Sequence, residues 1–198
     1  MMVVKVGGSL LSDAEQVMDV LRQYDVLIVP GGGVFADIVR RVYSSHDLSE
    51  EAAHKMAVLA MHQYGFYLSD ISGVALTKKI EIKRGPRIIL PLEIVEQSNL
   101  PSSWDIASDT IACYIAKSAG KSSFIKLTDV QGIIKDGEVI TDVPAGKLLN
   151  TTTCLDKSLP AYLQTWKMDC RVLSGREENI IRRALEGDPV GTLITGGK

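Results

Sequence analysis

Two apolar runs, residues 3–6 and 26–29, are each followed by apolar residues at helical spacing. Leu10, Ala14, Val17 and Leu21 come after the first, and Phe35, Ile38, Val39 and Val42 after the second. Strand-helix alternation of this kind constrains the fold strongly. It demands a mostly parallel central sheet with helices on both faces, a three-layer α/β/α sandwich. The pattern continues. Asp47, with Glu50 three residues on, announces a helix that buries Ala53, Met56, Ala57, Ala60 and Met61 and stops near Gly65. "KKIEIKRGPRIILP" predicts a strand, a turn at Arg84, Gly85 and Pro86, and a more buried strand running to Pro91. A helix over 109–119 precedes a strand ending at Leu127, and Asp136-Gly137 supplies the turn of a hairpin. Helices over 157–166 and 177–185 alternate with strands over 170–173 and 192–194. With 198 residues, 45% of them hydrophobic, the chain has the size and core content of one domain spanning 1–198.

In such sheets ligands bind outside the carboxyl ends of the strands. Both glycine clusters fall there. "KVGGSL" follows the first strand and opens the first helix, and "PGGGVF" does the same after the second. Two helix N-termini with bare backbone amides suit a shared anion, although each loop alone could simply be a turn. Neither G-x-x-x-x-G-K-[ST] nor G-x-G-x-x-G occurs, so this is neither a P-loop nor a dinucleotide fingerprint. Lys5 lies inside its Val-rich strand, where an ammonium is costly to bury unless paired and could reach over the loop toward a phosphoryl group.

Other classes are disfavoured. The net charge is −2 with no long basic block, which argues against nucleic acid or a membrane surface as partner. No window approaches the roughly 18 apolar residues of a membrane span, and the beginning of the chain lacks a leader-like pattern, so a cytoplasmic protein is expected. Cys113, Cys154 and Cys170 are widely spaced and read as reduced, mostly buried thiols. His46, His54 and His62 recur every eight residues, a rotation of about 80° each, and do not share a helix face well enough for a metal site.

"KVGGS" (5–9), "PGGG" (30–33), "SDTIACYIA" (108–116), "LTDVQGI" (127–133), a lysine at 157 before a late helix and "GTLI" (191–194) stand in one order along the chain. In that order they resemble the amino-acid kinase superfamily, which includes acetylglutamate, carbamate, uridylate, aspartate and isopentenyl phosphate kinases. The resemblance implies the carbamate kinase-like fold, with an acceptor-binding half over roughly 1–120 and a nucleotide-binding half over 121–198. "AHKMAVLAMHQYG" (53–65) and "LPSSWDIASDTIA" (100–112) look most like the superfamily's small kinases of methanofuran biosynthesis in methane-producing archaea. Those convert an aminomethyl-furanmethanol phosphate to its diphosphate.

By that resemblance Lys5 and Lys157 would neutralise the transferring phosphoryl oxygens, and Asp109 would hold both lysines. Gly7, Gly8, Ser9, Thr128, Asp129, Gly132 and Gly175 would bind ATP and its phosphates. Mg²⁺ would accompany ATP without a protein ligand named for it. Gly31, Gly32, Gly33, Asp37, Trp104 and Asp105 would face a small-molecule phosphate acceptor, with Arg40 or Arg41 as candidates for its existing phosphate. A homo-oligomer is expected, built on the small-residue helix over 49–65.

Each role has a plainer alternative. Lys157 lacks the glycine-methionine lead-in of many relatives and could be an exposed helix lysine. Asp109, beside Ser108, could simply cap a helix. Asp37 stands where isopentenyl phosphate kinases have histidine and uridylate kinases arginine. A carboxylate there would repel a phosphorylated acceptor unless that acceptor also carried a cation, such as an aminomethyl group, or it could sit idle on an exposed face. Trp104 could offer its indole to a furan ring or belong to the core. A kinase of another small acceptor (an amino-acid carboxylate, UMP or isopentenyl phosphate) and a non-catalytic nucleotide-binding protein on the same fold are the alternative functions.

Overall fold

The computed structural model describes residues 1–81 and 83–197. Five consecutive apolar or buried positions form β1 (Met2–Val6), and β2 (Val26–Pro30) is buried throughout, as strands covered on both faces must be. A 3₁₀ turn, Gly8–Asp13, leads into α1 (Ala14–Leu21). Then follow α2 (Gly33–Ser45), α3 (Glu50–Ser72), β3 (Leu76–Thr77), β4 (Arg87–Ile89), α4 (Leu92–Glu96) and α5 (Ser108–Ser118). The second half contains β5 (Ser123–Thr128), the hairpin β6 (Ile134–Lys135) and β7 (Glu138–Val139), and β8 (Asp142–Pro144). It ends with α6 (Leu159–Trp166), β9 (Asp169–Ser174), α7 (Glu178–Glu186) and β10 (Thr192–Thr195).

Eight strands form one sheet in the order β3-β4-β2-β1-β5-β9-β10-β8, parallel except where β10 meets β9. The chain leaves β1 to build β2 on one side and later returns to add β5 on the other, so a crevice opens at the carboxyl end of β1. Val3, Val29 and Phe124 pack with Ile111 and Ile115 of α5 on one face. Val4, Val6 and Ile28 pack with Val17, Leu21 and Ile181 of α1 and α7 on the other. The expected sandwich is therefore present. Among the described residues no helix is long and apolar enough to cross a membrane. All three cysteines are free, with Cys113 and Cys170 buried.

The sequence misplaces some boundaries. Ser49 rather than Asp47 caps α3, its hydroxyl accepting from the Ala52 amide. The helix passes Gly65 and ends at Gly73, whose φ of 69° is the usual left-handed stop. Gly65 is a packing glycine instead: a Cβ there would lie 3.0 Å from Leu90 Cδ2 and 3.3 Å from Pro30 Cγ. The strand expected in "KKIEIK" is absent from 78–81, and its Ile82 lies outside the described residues; pairing occurs earlier, at β3. α6 starts at Leu159, so Lys157 precedes the helix. The Asp136-Gly137 hairpin forms as expected, with Ile134 opposite Val139 and φ of 53° and 86° at the turn.

Candidate active site

The two glycine loops meet backbone to backbone. A Cβ on Gly8 would fall 2.1 Å from Gly33 Cα, and one on Gly31 would fall 2.8 Å from Gly8 N. Gly33 also takes a φ of 52°. At this crossing any side chain is excluded, which is why both loops need glycine. The Gly7 amide donates to the Leu127 carbonyl and the Gly31 amide to the Val6 carbonyl, so those two serve the scaffold. Gly8, Gly32 and Gly33 line a cavity of about 670 Å³ that opens beside the crossing.

Lys5 on β1 and Lys126 on β5 are direct partners in the parallel register and so share a sheet face. Like charges side by side repel, and burial adds a desolvation penalty. Asp109, in the first turn of α5, offsets both. Its Oδ1 lies 2.8 Å from Lys5 Nζ and its Oδ2 2.5 Å from Lys126 Nζ, and all three side chains are under 10% exposed. Lys126 also donates to the Cys154 carbonyl. Burial raises the Asp109 carboxyl, but the two ammoniums outweigh it and hold the group well below the carboxylate range. Burial lowers the Lys5 ammonium, partly countered by Asp109. For Lys126 burial also lowers, yet Asp109 prevails and the ammonium is raised.

Asp109 does not cap its helix. Asp156 does: its Oδ2 accepts from the amides of Ala107 and Thr110, and its Oδ1 from the Thr110 hydroxyl and the Leu159 amide. One carboxylate thus closes the N-termini of α5 and α6, and its own amide donates to Asp109 Oδ2 at 3.1 Å. Burial first, and then the Asp109 charge, push Asp156 up to about 6.

Lys157 stands apart from this cluster. It is 70% exposed and pairs with Asp105 at 2.8 Å. Ser9, Thr128 and Asp129 line the cavity with Gly7. Gly132 packs against Thr192, where a Cβ would lie 2.5 Å from Oγ1, and Gly175 packs against Leu10; neither glycine lines the cavity. Asp37 and Trp104 line it too, as does Arg40, which pairs with Asp37 one turn along α2. The Arg40 guanidinium lies 5.8 Å from the Trp104 ring centroid, and Tyr43 packs against the same indole at 5.3 Å. Arg41 is exposed and lies outside the lining.

The three histidines serve separate places. His62 Nε2 accepts from the Leu92 amide at the start of α4, while His54 lines the cavity. Lys126 and Asp156 are not singled out in the sequence, and His54 is raised there only as a candidate metal ligand. Lys126 had a usable signal, because it interrupts a buried apolar strand, "FIKLT", just as Lys5 interrupts "VVKV".

Glycine loops and buried ammoniums that converge at the carboxyl ends of parallel strands make a site for phosphoryl groups. No protein-family model matches the chain. It is 32% identical over 209 residues to the [5-(aminomethyl)furan-3-yl]methyl phosphate kinase of Methanocaldococcus jannaschii, with 94% of each chain covered. Among solved structures, the uridylate kinase of Archaeoglobus fulgidus superposes with a TM-score of 0.71 at 18% identity, covering 98% of this chain and 100% of that one. The UMP kinase of Bacillus anthracis gives 0.73 at 12%, covering 100% and 96%. The chain belongs to the amino-acid kinase family and is a kinase.

Proposed function

We propose that the chain transfers the terminal phosphoryl group of ATP to a small phosphate monoester bearing an aminomethyl group, the furanmethyl phosphate of its archaeal relative, to give a diphosphate. The observation that carries this reading is the Lys5–Asp109–Lys126 cluster lining the same cavity as the carboxylate of Asp37. Two ammoniums, held by one shared carboxylate, converge where negative phosphoryl oxygens must gather. Asp37, already paired with Arg40, adds negative charge to the wall that an amine would face. Phosphoryl transfer asks for this positioning and neutralisation and for no side-chain nucleophile.

In this reading an oxygen of the acceptor's phosphate attacks the terminal phosphorus as the bond to the ADP oxygen breaks. Lys5 and Lys126 neutralise the oxygens in flight and Asp109 fixes their positions. Lys157 joins from the rim, released from its exposed pair with Asp105. Gly8 and Ser9 serve the nucleotide phosphates, with Gly7 fixing their loop, and Thr128 and Asp129 serve the ribose or base, with Gly132 and Gly175 holding those residues in place. Gly31, Gly32 and Gly33 serve the acceptor loop. Trp104 offers its indole to the ring, and Asp105 keeps Lys157 near. Mg²⁺ would be held chiefly by phosphate oxygens and water, as this hard ion usually is. Residues 1–120 act as the acceptor half and 121–198 as the nucleotide half of one domain. A homo-oligomer forms through α3, where Leu59 and Phe66 are exposed a helical repeat apart.

The test is ADP release from Mg²⁺ and ATP with the aminomethyl-furanmethanol phosphate, UMP, isopentenyl phosphate and acetylglutamate as acceptors. Turnover confined to the first supports the reading. Preference for any of the others, or no ADP with any, overturns it.

A further inference from the structure

The cavity-facing stripe of α3 is His54, Ala57, Val58 and Met61, at i, i+3, i+4 and i+7. Three of these are apolar, and the one polar member is only 5% exposed. His54 Nδ1 lies 3.0 Å from the Ser103 carbonyl oxygen. That oxygen can only accept, so Nδ1 must carry the ring proton. Burial disfavours the imidazolium, which leaves the ring neutral and Nε2 with a bare lone pair. Nε2 is buried and has no partner among the described residues. The ring cannot turn to find one without losing Ser103. The loop it holds is also tied to α3 through the Trp104 amide, which donates to Glu50 Oε1 at 3.2 Å.

A fixed, unpaired acceptor on a side chain that lines a substrate-sized cavity calls for a donor brought from outside, an ordered water or a group of the substrate. A fully ionised phosphate has none to offer, so the acceptor's phosphate belongs elsewhere in the cavity, toward the lysines. We propose that His54 is a specificity-determining residue, its Nε2 accepting a hydrogen bond from the ammonium of an amine-bearing acceptor phosphate. This rests on the acceptor reading above and orients that acceptor, phosphate toward Lys5 and amine toward His54, with Ala57 and Met61 against its ring.

The test compares the aminomethyl-furanmethanol phosphate with an analogue carrying a methyl group in place of the aminomethyl group. His54→Phe raises KM for the aminated acceptor roughly tenfold, one lost hydrogen bond to a charged donor, while KM for the methyl analogue and for ATP stay within about twofold. His54→Gln, which can return a carbonyl oxygen near the Nε2 position, recovers most of the loss. In the unmodified enzyme, the ¹⁵N resonance of His54 Nε2 moves on addition of the aminated acceptor and not of the analogue, a readout that survives if the Phe variant fails to fold. Equal losses on both acceptors, or an unmoved resonance, overturn the assignment of His54. An unmodified enzyme that turns over neither compound overturns the acceptor reading and this inference together, and is told apart because no substitution is involved.

Discussion

Lys5–Asp109 and Lys157–Asp105 share a nitrogen-to-oxygen distance of 2.8 Å and little else. The first pair is 7% and 5% exposed, sits between two packed layers and shares its carboxylate with Lys126. The second is 70% and 49% exposed and stands alone at the rim. Water and side-chain entropy cancel most of the attraction in the outer pair. In the inner one neither ion has water to fall back on, so each is stable only while its partners stay. Distance alone does not distinguish a structural cluster from a reserve charge; burial and shared partners do.

The largest test of that contrast is Asp109→Asn, which leaves two buried ammoniums with no anion between them. It should cost about 3–5 kcal/mol in urea unfolding and abolish turnover. Lys126→Met removes one ammonium but leaves Lys5 and Asp109 as a matched pair. It should destabilise less than Asp109→Asn while lowering kcat by about 100-fold or more. A Lys126→Met enzyme with full activity would reduce Lys126 to a structural ion.

The pH dependence separates the inner carboxylates by sign. Asp156, pushed up to about 6, holds a proton that an unfolded aspartate, at about 3.9, has already released. Its contribution to stability is therefore full below about pH 4 and lost as pH rises through about 6. Asp109 runs the other way: held well below its ordinary value, its contribution is present above about pH 4 and disappears as pH falls toward that depressed value. A ¹³C carboxyl titration should show one aspartate with a midpoint near 6 and another still ionised where exposed aspartates are protonated. Two aspartates titrating alike would erase the distinction.

The smallest stability effect is Lys157→Ala, less than about 1 kcal/mol, because its pair is exposed. Turnover should nonetheless drop by about tenfold or more, the signature of a charge free to move toward the phosphoryl group. Unchanged kcat would leave Lys157 as a surface lysine and put the whole task on Lys5 and Lys126.

Much of this architecture was legible because strand and helix periods differ and the chain keeps them apart. β1, β2, β5 and α5 fall where the patterns put them. What escaped depends on partners far along the chain. Gly65 reads locally as a helix stop, yet a Cβ there would press on Leu90 and Pro30. β10 runs antiparallel to β9, and no residue in "GTLIT" announces a direction. Lys5 was singled out for the burial problem it poses in an apolar strand. Lys126 poses the same problem, but its pairing with Lys5 in register and with Asp109 across the layer becomes visible only when β1 and β5 are adjacent. Asp156 carries no local signal, and only the fold shows it closing two helices.

The contact of Gly8 with Gly33 works like a pinned joint. Because it is made by main chain alone, there is no side chain in it to exchange, and the angle between the two loops cannot be adjusted by substitution. Substitutions meant to reshape the cavity must leave that crossing alone and fall on the lining faces of α2 and α3.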